Sequence, residues 1–164
     1  MKQNNNKKVL GIDPGTTTVG YAILEKIDGK NQLIEHGTIN TKPKIPLEDK
    51  LLEIYYDIIK LIDKHKPNLM AVESLFFCNN HKTAIAVGHA RGVILLAGKQ
   101  KKIPILDFTP LQVKSGICGN GNAKKQEVQK MIQMILGLES ARIQDDAADA
   151  IAIALCAIDR NPRL

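Results

Sequence analysis

Residues 9–15 read Val9-Leu-Gly-Ile-Asp13-Pro-Gly15, an apolar run that ends in a carboxylate and a Pro-Gly turn. The run predicts a buried strand, and Asp13 is expected at its tip. A lone negative charge is costly to bury and usually needs a cation nearby. Asp-Pro-Gly is also a good turn sequence, so Asp13 taken alone is better explained as a turn former.

Three later acids have comparable settings. Glu73 follows the apolar run Leu69-Met-Ala-Val72, although alone it could be an exposed loop acid. Asp146 and Asp149 open an apolar helical segment, three residues apart on one face, where the helix dipole favours negative charge. Asp145, just before them, is the expected N-cap. Capping explains Asp149 poorly, because that residue points along a buried helix.

Together the four acids Asp13, Glu73, Asp146 and Asp149 predict a metal site. Without a cation such a cluster would repel, and some of its members would have to stay protonated. Carboxylate oxygens and water are the ligands that Mg²⁺ or Mn²⁺ prefers. Two such ions, about 4 Å apart, stabilise both the attacking and the leaving oxygen of a phosphodiester displacement.

Composition sets broader limits. The 164 residues predict a single domain over 1–164, with residues 1–7 frayed, and 44% hydrophobic residues without Trp predict an aliphatic core. A net charge of +6 permits a nucleic-acid partner, but solvated surface lysines explain it equally well. Cys78, Cys118 and Cys156 form no CxxC pair, which favours free thiols. With no apolar leader or membrane span, a cytoplasmic protein is expected.

Periodicity predicts an α/β domain with the order βββαβαβααα, a mixed five-stranded sheet and helices on both faces. The first three strands should form an antiparallel meander that turns at Asp28-Gly29. Ala84, Gly88 and Gly92 let another backbone approach the second helix, from either the sheet or a second copy of the chain. The strands are expected at 8–13, 18–27, 32–41, 69–72 and 103–107, the helices at 47–65, 82–100, 110–116, 124–136 and 145–159, and a flexible glycine loop at 116–122.

The chain resembles the RuvC family of Holliday-junction resolvases from Val9 to about Ala157. The matching motifs are Gly11-Ile-Asp13-Pro-Gly15 with Gly20-Tyr21, Val72-Glu73 with Phe76, Gly88-His-Ala-Arg91-Gly92, and Asp146-Ala-Ala-Asp149-Ala-Ile-Ala. The resemblance implies an RNase-H-like fold and a metal-dependent endonuclease in which Asp13, Glu73, Asp146 and Asp149 are the catalytic carboxylates. Some family members carry His at the position of Asp146.

The resemblance also implies cofactors and partners. The implied cofactor is Mg²⁺, which Mn²⁺ can replace, and two ions are expected in each subunit when DNA is bound. A homodimer nicks two opposing strands of a four-way DNA junction and leaves 5′-phosphate ends. A branch-migration complex, RuvAB, is the implied protein partner in recombination and repair.

Four residues are candidates for DNA binding. The resemblance points to Phe76 for stacking at the junction centre, although Phe76 or Phe77 could instead fold into the core. It also matches Lys114 and Lys125 to basic positions near the scissile phosphate, and Lys125 opens a helix after a glycine loop. Arg91 could contact DNA or anchor a glutamate across a dimer.

Other classes of protein share part of this pattern. Gly11-Ile-Asp13-Pro-Gly15-Thr-Thr also resembles the first phosphate motif of actin-like ATPases and sugar kinases. Those proteins need two such domains and a second phosphate motif, for which this chain is too short. YqgF-type nucleases begin similarly, but Glu73 with Phe76 and the motif at 88–92 favour the resolvase. A non-catalytic junction-binding module would not need all four acids.

Overall fold

A computed structural model describes residues 6–74, 81–138 and 142–160. The described residues form a mixed sheet with the strand order β3-β2-β1-β4-β5. The elements are β1 (Lys7–Asp13), β2 (Thr18–Ile27), β3 (Lys30–Asn40), α1 (Leu47–His65), β4 (Leu69–Glu73), α2 (His81–Gln100), β5 (Ile105–Phe108), α3 (Pro110–Cys118), α4 (Lys125–Leu136) and α5 (Asp145–Ile158). The predicted α/β class and element order are confirmed.

The sheet topology brings the ends of three strands to one edge. β1, β2 and β3 form the predicted antiparallel meander, and Asp28 and Gly29 turn between β2 and β3 with φ of 50° and 79°. β4 pairs in parallel with β1 on one side and with β5 on the other. The carboxyl ends of β1, β4 and β5 therefore lie at the same edge, which places Asp13 and Glu73 near each other.

Helices cover both faces of this sheet. α1 and α2 pack on one face, with Ile54, Ile58 and Ile94 in their core, while α3, α4 and α5 pack on the other. α5 lies very close to the sheet: a Cβ added at Gly11 would be 2.4 Å from the Ala150 carbonyl oxygen. None of the helices in the described ranges combines the length and apolar character that a membrane crossing requires.

Several predicted boundaries were wrong, each for a local reason. β5 begins at Ile105 instead of residue 103, because Pro104 has no N–H to donate to a ladder. α3 continues to Cys118, so Gly116 lies inside a helix and not in a flexible loop. A Cβ at Gly116 would lie 2.7 Å from Cys156 Sγ, so this glycine permits close packing of α3 against α5. The helix ends where Gly119 adopts a φ of 71°.

The cysteines that can be placed are free thiols, as predicted. Cys118 and Cys156 are both partly buried and unpaired with each other. Burial raises the pKa of the Cys156 thiol to about 11, so it stays protonated near neutral pH. Cys78 lies outside the described residues.

Candidate active site

The four predicted carboxylates converge at the edge where β1 and β4 end. Asp13 is the last residue of β1 and pairs across the ladder with Gly20 of β2. A Cβ at Gly20 would lie 1.9 Å from the backbone oxygen of Asp146, so the first turn of α5 rests directly on this point of the sheet. Glu73 ends β4, and Asp149 lies one helical turn after Asp146.

Burial and mutual repulsion make this cluster electrostatically costly. Burial, and then the charges of Glu73, Asp149 and Asp146, raise the pKa of Asp13 to about 8. Burial and the charge of Asp149 raise the pKa of Glu73 to about 7. The pKa of Asp149 is also raised, chiefly by burial. Near neutral pH the metal-free site therefore holds protons that free carboxylic acids would have lost.

Two lysines line the same site. Lys125 Nζ lies 3.7 Å from an Asp149 carboxylate oxygen and 3.3 Å from one of Asp145. Partial burial lowers the pKa of Lys125, but Asp149 and Asp145 outweigh this and raise it. Lys114 is close enough for its charge to lower the pKa of Glu73, against the larger effect of burial. Both predicted basic residues are thus beside the carboxylates.

A cleft of about 320 Å³ opens between these charged groups. Its lining includes the acids Glu73 and Asp149 and the bases Lys114 and Lys125. Apolar side chains close the rest of it, including Val113 and Val128. The carboxylates suit a divalent cation, and the neighbouring ammonium groups suit a phosphate oxygen.

The chemistry of this donor set fits a divalent ion. Nearby carboxylates that raise one another's pKa are relieved when a cation neutralises them, and their hard oxygens suit Mg²⁺. Within residues 6–74, 81–138 and 142–160, no three His, Cys, Asp or Glu side chains are yet grouped closely enough to hold a metal ion. A metal ion held there would need these carboxylates closer together than they are in this structure.

Arg91 and Asp145 have contacts that the sequence did not predict. Arg91 Nε donates to the Glu73 carbonyl oxygen at 3.1 Å, and Arg91 Nη2 donates to Asp107 Oδ1 at 2.5 Å. Asp145 was expected to cap α5, but the N-cap residue is Gln144. Asp145 is the first helical residue, and it accepts a hydrogen bond from Gln129 Nε2 at 2.9 Å while pairing with Lys125.

Asp107 was missed, although a signal for it was present. It lies one residue before the end of β5, next to β4, so a search for acids near strand ends would have found it. Its side chain faces α2 and Arg91, on the opposite face of the sheet from α5. Phe76 lies outside the described residues, as does Phe77. The stacking role suggested for Phe76 stays a prediction.

Comparisons with known proteins agree on one family. A sequence profile described as "Crossover junction endodeoxyribonuclease RuvC" matches residues 9–157. The RuvC of Halothermothrix orenii is 49% identical over 148 residues, which are 90% of each chain. The RuvC of Fusobacterium nucleatum is 47% identical over 93% of this chain and 80% of its own.

Solved structures give the same result. Thermus thermophilus RuvC in complex with a Holliday junction substrate superimposes with a TM-score of 0.84 and 34% identity, over 92% of each chain. The yeast mitochondrial Holliday junction resolvase Ydc2, at 18% identity and a TM-score of 0.65, shares the fold. The profile match and the identities over nearly the whole chain show that this protein belongs to the RuvC family of crossover junction endodeoxyribonucleases.

Proposed function

We propose that Asp13, Glu73, Asp146 and Asp149 are the catalytic carboxylates of this enzyme and that they hold Mg²⁺. As a RuvC-family member, the protein is a metal-dependent endonuclease that resolves four-way DNA junctions in recombination and repair. The observation that supports the assignment is the raised pKa of buried Asp13, caused in part by the other three acids. Such a cluster favours bound cations.

The proposed chemistry is hydrolysis of a phosphodiester by water. Two divalent ions in the site, either Mg²⁺ or Mn²⁺, would lower the pKa of water and stabilise charge on the attacking and leaving oxygens. The four carboxylates would hold these ions at the sheet edge. Among the described residues, the Cys156 thiol is a poor nucleophile, because burial keeps it protonated and its Sγ contacts the Val113 carbonyl oxygen.

Lys114 and Lys125 are proposed to bind the DNA backbone at the scissile phosphate. Both line the cleft together with Glu73 and Asp149, and Lys125 begins α4, where the helix dipole attracts anions. Lys125 now pairs with Asp149. A cation bound at Asp149 would neutralise that carboxylate and leave the Lys125 ammonium group free to bind a phosphate oxygen. Lys125 also pairs with Asp145, at 3.3 Å.

A homodimer is proposed to place two such sites on opposing strands. α2 offers a face that suits a second copy: Gly88 and Gly92 allow close approach, and Ile85 and Leu96 are each 61% exposed. These positions fall on one side of the helix. A twofold dimer matches the symmetry of a four-way junction, so each subunit addresses one strand. Cooperation with a RuvAB branch-migration complex and a cytoplasmic location are proposed from family resemblance.

The test uses a synthetic four-way junction labelled on each strand in turn. In Mg²⁺ the protein should nick two opposing strands symmetrically, and the nicked products should religate without kinase treatment, because the ends are 5′-phosphate and 3′-hydroxyl. A linear duplex of the same sequence is the control and should stay intact. Cleavage in EDTA, or equal cleavage of the duplex, would overturn the proposal.

A further inference from the structure

Arg91 contacts the ends of two neighbouring strands beside the active site. Its side chain is only 20% exposed. Its Nε donates to the Glu73 carbonyl oxygen at 3.1 Å, and its Nη2 donates to Asp107 Oδ1 at 2.5 Å. Both contacts are made within one chain. The guanidinium group therefore joins the last residue of β4 to β5.

Glu73 is the last residue of β4, and at this point β4 is paired with β5 but no longer with β1. The pairing of β4 with β1 ends at Ile12 and Val72, one residue before Glu73. On the other side, the Ser74 N–H still donates to the Phe108 carbonyl oxygen at 2.8 Å. The Glu73 carbonyl group receives its donor from Arg91. This hydrogen bond holds the backbone from which the Glu73 carboxylate projects.

The position of Arg91 is itself fixed from two directions. Ala90 and Ile94, on either side of it in α2, are completely buried. Asp107 is in register with Val72, so its carboxylate faces Arg91 from β5. A planar guanidinium group with several donors can serve a carbonyl and a carboxylate together, which a lysine ammonium does less well.

We propose that Arg91, anchored by Asp107, is a positioning residue that holds Glu73 in place for the bound metal ions. The inference rests on the proposed role of Glu73 as a ligand. Removing a group that hydrogen-bonds to a metal ligand and orients it commonly lowers metal affinity or activity by about 10- to 100-fold. This role differs from the two that the sequence suggested for Arg91, a DNA contact or a contact across the dimer.

The experiment compares Arg91→Gln and Asp107→Asn with the wild type in two measurements. Calorimetric titration with Mn²⁺ should show both variants binding the ion about 10- to 100-fold more weakly. Junction binding measured in EDTA should stay within about twofold of wild type for both. The cleavage reaction should show a lower kcat with little change in KM, and Arg91→Lys should recover part of the loss.

A matched control is the ion pair between α1 and the residue that follows α2. Asp63 pairs with Lys101 at 2.5 Å and is 57% exposed, against 56% for Asp107. Asp63→Asn removes an equivalent ion pair and should leave Mn²⁺ affinity unchanged. If Arg91→Gln fails to fold, Asp107→Asn alone still decides, because Asp107 is 56% exposed and Asn keeps its size and an oxygen that can accept from Arg91.

Two results would overturn the inference. Unchanged Mn²⁺ affinity in Asp107→Asn would mean that the Arg91 contact does not position Glu73. Weaker junction binding in EDTA by Arg91→Gln but not by Asp107→Asn would make Arg91 a DNA contact. Both differ from failure of the proposed function, in which the wild type would neither bind the metal nor cut the junction.

Discussion

Asp13 combines the two features on which the proposed cation site rests: burial and three neighbouring acids. Its pKa of about 8 lies far above the ordinary value of 3.8. Between these values the metal-free folded protein holds a proton that the unfolded chain has lost. Its free energy of unfolding therefore falls as the pH rises from about 4 to about 8. Glu73, with a pKa of about 7, acts in the same direction.

Asp13→Asn should therefore stabilise the metal-free enzyme at pH 8. We expect its Tm in EDTA to exceed that of the wild type by at least about 3 °C at pH 8, with a difference that shrinks towards pH 4. Mg²⁺ should raise the Tm of the wild type more than that of the variant. Thermal denaturation followed by circular dichroism tests this, and a variant less stable than wild type at pH 8 in EDTA would contradict it.

Lys114 and Lys125 should act through DNA affinity. Replacing either lysine with Gln should weaken junction binding measured in Ca²⁺. The magnitude of the slope of log K against log salt concentration should fall by about 0.9, the value expected for one lost phosphate contact in a duplex. Lys101→Gln is the control, because Lys101 pairs with Asp63 away from the site. Fluorescence anisotropy at several salt concentrations measures the slope. Equal slopes for wild type and both cleft variants would exclude phosphate contacts there.

At the scale of single residues, sequence patterns identified the acids more easily than their partners. Asp13 and Glu73 each follow an apolar strand, and a strand end is a local signal. The pairing of Arg91 with Asp107 joins residues 16 positions apart on different elements, so it depends on how α2 crosses the sheet. Asp145 looked like a helix cap because capping is a local rule. Its partners Lys125 and Gln129 come from α4, which no local rule reveals.

At the scale of elements, the contact between α5 and the sheet sets the site geometry. Gly11 and Gly20 leave room for the α5 backbone to approach β1 and β2. The apolar sequence of α5 predicted that this helix is buried, but it did not predict which glycines of the sheet the helix would pack against. The same applies to Gly116, which looked like a loop residue because glycine is common in loops. Its neighbour Cys156 is 40 residues away, so only the folded arrangement shows why glycine is needed.

Gly20→Ala should displace the first turn of α5. The added Cβ would meet the Asp146 backbone oxygen at 1.9 Å, and backbone cannot move aside cheaply. We expect a loss of about 1–3 kcal/mol in the free energy of unfolding and a marked loss of cleavage. Gly37→Ala is the control on the neighbouring strand, where the closest atoms, at 3.0 Å and beyond, belong to the Tyr21 side chain and not to backbone. Urea denaturation that ranks Gly37→Ala as equally harmful would count against this packing.

At the scale of the whole molecule, the exposed face of α2 predicts self-association. Ile85→Asp places a charge on that face and should yield monomers in sedimentation velocity experiments. The nicks on the two opposing strands of a junction should then no longer occur together. Leu52→Asp on α1 is the control, because Leu52 is 52% exposed and lies on another helix. A wild type that is monomeric at all concentrations, or an Ile85→Asp protein that remains dimeric, would place the interface elsewhere.

The central claim is that the carboxylate cluster holds the metal ions that cut the junction. Cleavage of a synthetic four-way junction by wild type and by Asp13→Asn, each with Mg²⁺ and with EDTA, tests it most directly. Asp63→Asn serves as a control for the loss of one acid elsewhere. We predict that Asp13→Asn binds the junction as tightly as wild type but does not cut it, and that wild type cuts only in Mg²⁺. Cutting by Asp13→Asn at the wild-type rate, or by wild type in EDTA, would contradict the claim.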